Sequence, residues 1–358
     1  MSEIPGPKKI RVLVADDSAL MRRTLTTLIN AEPGLCVIGA ARDGEDAVRK
    51  ARELRPDVVT MDVNMPKFDG ITALQMIFDE EICPVLMVSS LTQSGAVTTF
   101  EAMELGAFDY VAKPEGTVSS NLATIASDLV AKLKSAAGSG ALWKLKQRVK
   151  RRGELHLETS AARAPASGAI GYKAVAMGIS TGGPSTLTEI LPLLPANIPA
   201  AFFLVQHMPA KFLHSFAERL DGACAISVVL AESGMGVQPG VCYVGKGDAQ
   251  LALLRRLDGQ VIIRTPTYPK TQFMPSVGEM MRSVHAVFGE DTVGVLMTGI
   301  GDDGAEMMAE IRRSGGRTIA ESEETAVVFG MPRRAIELGG ADVIAPSFSI
   351  AHEILKAI

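Results

Sequence analysis

Two sets of residues carry the types and spacing that chemistry needs. The first centres on Gly178-Ile179-Ser180-Thr181-Gly182, which lies between the apolar run 174–177 and a helix-like stretch opening near Pro184. A strand, a sharp turn and a helix put a serine hydroxyl at the apex, where flanking glycines let the backbone bend without covering it. Such a serine can act as a nucleophile if a base lies within reach, and the helix N-terminus beside it offers N–H groups to a developing oxyanion. Many Gly-x-Ser-x-Gly strings are ordinary turns, so the base decides the matter. Five histidines are available. His156 falls in a linker-like stretch, His214 and His285 fall within helical patterns, and His352 lies near the C-terminus. His207 alone ends an apolar strand pattern, 201–206, just before Pro209 starts a helix, and this places it on the same sheet edge as Ser180.

An orienting carboxylate is the remaining requirement. Thr298-Gly-Ile-Gly-Asp302-Asp303-Gly-Ala305 follows the apolar run 293–297, so two aspartates reach the same edge. One can cap the next helix while the other accepts a proton from the imidazole, and residue physics does not choose between them. The chain order Ser, His, Asp differs from the Ser, Asp, His order of the α/β-hydrolases and excludes that fold.

The second set lies in the N-terminal half. Asp16 and Asp17 follow the first apolar run, Asp62 the third, Ser89 the fourth and Lys113 the fifth. Any one aspartate after a strand is commonly a cap or turn former. Together, three carboxylates form an oxygen-rich pocket suited to Mg²⁺, which takes one or two carboxylates and keeps waters. The hydroxyl and the ammonium complete a set that would hold a phosphoryl group on Asp62.

These residues need a sheet to bring them to one edge, and the chain supplies two. From residue 10, buried strand patterns at 10–15, 36–40, 57–61, 85–88 and 110–112 alternate with helical patterns, the last reaching about residue 134. That is a doubly wound parallel sheet. Alternation resumes at Tyr172 with apolar runs 174–177, 201–205, 242–244, 293–297 and 342–344, plus an antiparallel hairpin at 251–264 turning on Asp258-Gly259. We therefore expect an α/β protein with domains at 8–134 and 169–358, joined by a flexible linker over 135–168. The linker carries six basic residues between Lys144 and Arg152.

Charge follows the same division. Residues 1–128 hold 12 Lys/Arg against 19 Asp/Glu, residues 129–168 hold 9 against 2, and residues 169–358 hold 15 against 19. Neither folded part is basic, which argues against nucleic acid as a partner. Four scattered cysteines, Cys36, Cys83, Cys224 and Cys242, form no Cys-x-x-Cys pair and read as buried thiols. No signal-peptide or membrane-span pattern is visible, so a cytoplasmic location without membrane insertion is expected.

Residues 8–130 resemble response-regulator receiver domains through Ala15-Asp16-Asp17-Ser18, Met61-Asp62-Val-Asn64-Met-Pro66-Lys-Phe-Asp69-Gly70, Val88-Ser89-Ser90 and Tyr110-Val-Ala-Lys113-Pro114. The resemblance implies that Asp62 is the phosphoacceptor and that Mg²⁺ contacts Asp17, Asp62 and the backbone carbonyl of Asn64. Asp16 would help through water, and Ser89 and Lys113 would contact the phosphoryl group. The C-terminal part resembles the chemotaxis protein-glutamate methylesterases through Gly178-Ile-Ser180-Thr-Gly-Gly183-Pro, Gln206-His207-Met-Pro209, Thr298-Gly-Ile-Gly-Asp-Asp303-Gly-Ala305 and Phe329-Gly-Met-Pro-Arg333. This second resemblance selects Asp303 over Asp302 and places Thr181 and Ile300 in the oxyanion region. It departs from the family at Ile300, where methionine is usual.

The resemblance implies hydrolysis of glutamyl methyl esters, with release of methanol, on methyl-accepting chemoreceptors. It also implies deamidation of selected glutamines, activation by a chemotaxis histidine kinase and no cofactor at the esterase site. Two other readings fit parts of the chain. A transcriptional regulator would share the receiver but needs a basic output domain that the sequence lacks. A catalytically silent, phospho-dependent receptor-binding adaptor would share the whole architecture but has no use for a complete Ser, His and Asp set.

Overall fold

A computed structural model describes residues 9–90, 93–113, 119–138, 140–141, 144–145 and 171–358. The chain divides into two compact units, Met1–Arg151 and Arg152–Ile358. Most of the expected linker, including His156 and the basic residues from 146 to 152, lies outside the described residues.

In the first unit the elements run β1 (Ile10–Ala15), α1 (Ala19–Asn30), β2 (Leu35–Ala41), α2 (Gly44–Leu54), β3 (Val58–Asp62), α3 (Gly70–Asp79), β4 (Val85–Ser89), α4 (Gln93–Glu104), β5 (Asp109–Ala112) and α5 (Ser119–Ala136). The sheet order is β2-β1-β3-β4-β5 and every pairing is parallel. Helices cover both faces of such a sheet, which is why β3 and β4 are buried throughout and read as apolar runs instead of alternating ones. Three helices begin on side-chain caps, Ser18, Asp43 and Asp69, each accepting from an N–H of the first turn. Asp62 and Ser89 are the last residues of their strands, so both side chains lie at the carboxyl edge.

The second unit runs β6 (Lys173–Ile179), α6 (Gly183–Ile190), β7 (Ala200–Gln206), α7 (Ala210–Ala223), β8 (Ser227–Leu230), β9 (Val241–Val244), β10 (Ala252–Arg255), β11 (Val261–Arg264), α8 (Val277–Phe288), β12 (Thr292–Leu296), α9 (Ala305–Arg313), β13 (Arg317–Glu321), α10 (Met331–Glu337), β14 (Val343–Ala345) and α11 (Ser347–Ala357). Its sheet has the order β14-β13-β12-β6-β7-β9-β8, parallel throughout, and β10 and β11 form a separate antiparallel pair. The sequence pattern missed two of these strands. β8 lies at an edge and is only partly buried, so its apolar run is short. β13 begins with Arg317 and ends with Glu321, yet Glu321 is fully buried, so composition hides a core strand.

The order in which strands are added reverses about β6, with β7 on one side and β12 on the other. That switch point leaves a crevice beyond the carboxyl ends. Beneath it, Phe202, Phe203, Phe212 and Phe216 are essentially fully buried, and Phe203 stacks on Tyr243 at 5.8 Å. Truncating one such phenylalanine costs about 3–5 kcal/mol. The strand ends therefore stand on a rigid floor.

Candidate active site

Ser180 follows β6 directly, and its backbone is tied to both neighbouring strand ends. Its N–H donates to Thr298 O at 2.9 Å, while its carbonyl accepts from Gly183 N at 2.8 Å and Gln206 Nε2 at 2.9 Å. Gly182 turns the chain into α6 with φ of 78°, a left-handed value that glycine adopts without strain. Behind the serine, a Cβ on Gly299 would stand 2.7 Å from Ser180 Cβ and 2.3 Å from Met331 Sδ, so only glycine fits. Thr298 joins the two segments further, since its Oγ1 donates to Thr181 O at 2.8 Å and its N–H donates to the buried Glu321 at 2.8 Å.

His207 follows β7, and parallel pairing sets Ile179 opposite Gln206, so His207 stands beside Ser180. Its Nε2–H donates to Asp303 Oδ2 at 3.0 Å. Nδ1 is buried and has no hydrogen-bond partner, Ser180 Oγ included. The nitrogen gripped by the carboxylate is thus Nε2, whereas in the chymotrypsin template it is Nδ1. Phe273 stacks against the imidazole, with centroids 4.0 Å apart and planes inclined by 13°.

Asp303 is held from several directions. Oδ1 accepts from Ser276 Oγ at 2.8 Å and Gly278 N at 2.9 Å, and Oδ2 accepts from Val277 N at 2.8 Å besides the imidazole. These donors form the N-terminus of α8, capped by Ser276. Burial alone would raise the Asp303 pKa, but the His207 ring and the two backbone N–H groups reverse the effect and hold it below the ordinary value. Asp302 differs completely. It is exposed, and its carbonyl accepts from Ala305 N as an ordinary turn into α9.

The other described histidines stay away from this group. His214 is exposed beside Glu218, His285 bonds Gly289 O, and His352 lies in α11. No cysteine competes as nucleophile. All four thiols are free, and burial pushes Cys83 and Cys224 up to about 12. Residue patterns did not find Ser276, Phe273 or Glu321 as members of the site. A signal for the first was present: Ser276 followed by Glu279 just before an apolar run is a helix-capping spacing.

At the edge of the first unit, Lys113 Nζ lies 2.8 Å from Asp62 Oδ2 and 3.0 Å from Asp16 Oδ2. The second contact is an ion pair without hydrogen-bond alignment. Carboxylate oxygens of Asp16, Asp17 and Asp62 lie within 4.8 Å of one another, with Asp17 exposed and the other two buried. An all-oxygen set with one member open to water suits a hard cation that keeps part of its hydration shell. Burial pushes the Asp62 carboxyl up, Asp16 adds to the push, and Lys113 only partly offsets it. Burial also works against the Lys113 charge, but the neighbouring carboxylates of Asp62 and Asp16 outweigh this and leave its pKa raised. Arg22, which the sequence did not single out, fixes the acidic turn by donating from Nη1 to Asp16 O and Asp17 O. Ser89 is buried at the same edge, with long contacts to Ser90 O and Gly95 O.

Among the described residues, no helix is long and apolar enough to cross a membrane. Residues 175–354 match the CheB methylesterase family and residues 12–122 match the response regulator receiver domain family. A protein-glutamate methylesterase/protein-glutamine glutaminase from Syntrophomonas wolfei is 55% identical over 356 residues, covering 98% of this chain and 99% of that protein. Its counterpart from Caldanaerobacter subterraneus is 48% identical, covering 98% and 97%. The crystal structure of the Thermotoga maritima CheB methylesterase catalytic domain is 38% identical with a TM-score of 0.51, covering 52% of this chain and 99% of that one.

Proposed function

The chain belongs to the CheB protein-glutamate methylesterase/protein-glutamine glutaminase family, and we propose that it performs this chemistry with Ser180, His207 and Asp303 under the control of phosphorylation at Asp62. The catalytic domain in this reading is 169–358, the receiver is 8–134, and residues 135–168 link them. The substrates are glutamyl methyl esters, and selected glutamines, on chemoreceptors in the cytoplasm. One observation carries the esterase assignment: His207 stands beside Ser180 with Nε2–H fixed on Asp303 at 3.0 Å, which leaves Nδ1 as the proton acceptor.

Ser180 Oγ attacks the ester carbonyl carbon while its proton passes to His207 Nδ1. Asp303, kept ionised by its four donors, orients the ring and stabilises the imidazolium. The oxyanion forms beside the backbone N–H of Thr181, across from the Gly299-Ile300 turn. As the tetrahedral adduct collapses, the imidazolium proton leaves with methanol, or with ammonia from a glutamine side chain. Water then attacks the acyl-serine, gives its proton to His207, and releases glutamate as Ser180 recovers its hydrogen. No metal or cofactor takes part in this sequence.

In the receiver, a bond forms from an Asp62 oxygen to phosphorus as the bond from phosphorus to the kinase histidine breaks. Asp17, Asp62 and the Asn64 carbonyl would hold Mg²⁺, with Asp16 acting through water, and the ion would offset charge on the transferring group. Lys113 and Ser89 would contact the phosphoryl oxygens. The test has two parts. Rapid-quench mass spectrometry during turnover should find an acyl group on Ser180. A small acyl phosphate with Mg²⁺ should raise methanol release by the wild type and leave Asp62→Asn unchanged. An acyl group on another residue would overturn the esterase assignment, and activation persisting in Asp62→Asn would overturn the receiver assignment.

A further inference from the structure

We infer that Gln250 is a positioning residue for the esterase reaction, setting both groups that hold His207 in place. Gln250 lies in the segment between β9 and β10 and is 2% exposed. Its amide is fully used. Oε1 accepts from Ser276 N at 2.8 Å, and Nε2 donates to Pro269 O at 2.9 Å and Thr271 Oγ1 at 2.8 Å. Thr271 Oγ1 in turn donates to Phe273 O.

The two arms of that amide converge on one ring. Through Ser276 it fixes the start of α8, whose cap hydroxyl and next two N–H groups hold the Asp303 carboxylate on Nε2. Through Thr271 it fixes the backbone of Phe273, whose ring covers the imidazole face. The imidazole is thus bounded at its edge by a carboxylate and over its face by an aromatic ring, and a single buried side chain spans the supports of both. A buried group needing one acceptor and two donors is met by an amide and not by an isostere. A carboxylate would face Pro269 O with no proton to donate, and a thioether would leave Ser276 N–H and Pro269 O unsatisfied inside the protein. Supports of this kind matter because loss of catalytic geometry by a fraction of an ångström shows in turnover and not in binding.

The inference rests on the reading of Ser180, His207 and Asp303 given above, and a double-mutant cycle separates the two. The full chain, activated by an acyl phosphate and Mg²⁺, is assayed by methanol release from methylated chemoreceptor membranes. Gln250→Met should lower kcat ten- to hundred-fold with KM within two-fold. In the Asp303→Asn background, where the ring is already released, the same change should cost less than three-fold. Equal losses in both backgrounds, or a kcat within two-fold of wild type in a folded Gln250→Met, would overturn the inference. Should Gln250→Met fail to fold by circular dichroism, Thr271→Val replaces it in the cycle. It should give a three- to ten-fold loss in kcat that shrinks beside Asp303→Asn, and an additive or absent loss overturns the inference equally. Wild-type activity in Asp303→Asn alone would instead overturn the triad reading on which the inference stands.

Discussion

Both units place an aspartate beside a nitrogen-bearing side chain at the carboxyl edge of a parallel sheet, yet the two carboxylates are treated in opposite ways. Asp303 collects a hydroxyl, two backbone N–H groups and the imidazole, and its pKa is lowered despite burial. Asp62 sits beside a second carboxylate, shares one ammonium with it, and has a raised pKa. Donors fixed in advance make a permanent anion that can only orient its neighbour. A poorly compensated anion is instead poised to take on a cation or form a bond. The same sheet edge therefore serves as a brace in one unit and as an acceptor in the other.

This contrast can be broken in several ways, beginning with the reaction it serves. Ser180→Ala should lower methanol release on the order of 10⁴-fold or more while the protein stays folded. Activity above about a tenth of wild type would remove the serine from the mechanism. Asp303→Asn should follow with a loss of about 10³–10⁴ in kcat, because the amide supports the wrong imidazole proton. Asp302→Asn, at an exposed turn, should stay within a few-fold, and a reversal of the two would assign the brace to the wrong aspartate.

The acceptor half is sharpened by metal. Calorimetric melting in Mg²⁺ at a hundred times its Kd should stabilise the first unit by about 2.7 kcal/mol. Most of that gain should vanish in Asp62→Asn, and none should appear in the second unit. The smallest effect is in pH. Asp303 has a lowered folded pKa, so its contribution is complete above the ordinary 3.8 and is lost as pH falls through the lower folded value. Asp62 has a raised folded pKa, so ionising it costs stability as pH rises through the window just above 3.8. Asp62→Asn should therefore flatten the acid side of the first unit's melting curve, whereas Asp303→Asn should lower the second unit's stability throughout the range above pH 4. The opposite signs would dissolve the distinction between brace and acceptor.

What the sequence made legible follows from how each residue is placed. Asp62, Ser89, Ser180 and His207 each end or immediately follow an apolar run, so their edge position can be read locally. Asp303 could be narrowed only to a pair, because which of two adjacent aspartates turns inward depends on α8, 25 to 27 residues away. Phe273, Gln250 and Glu321 were not legible at all. Phe273 covers the His207 ring from a distant segment, Gln250 acts through partners 19 to 26 residues away, and Glu321 is a charged residue inside a core strand; composition gives no sign of any of these. The receiver was more transparent than the esterase because every one of its functional groups ends or directly follows an apolar strand, Asp16 and Asp17 after β1, Asp62 on β3, Ser89 on β4 and Lys113 after β5.

The grip on Asp303 has a consequence for how this enzyme can drift over time. Two of the donors from α8 are main-chain N–H groups, at Val277 and Gly278. They belong to the path of the chain and not to the identity of the side chains, so an inherited change at Val277 can alter packing without loosening the carboxylate. Only proline would delete the donor itself. At Val277 part of the most constrained geometry in the molecule is therefore invisible to any tally of invariant letters, whereas Gly278 is restricted by space, since a Cβ there would stand 3.2 Å from Asp303 Oδ1.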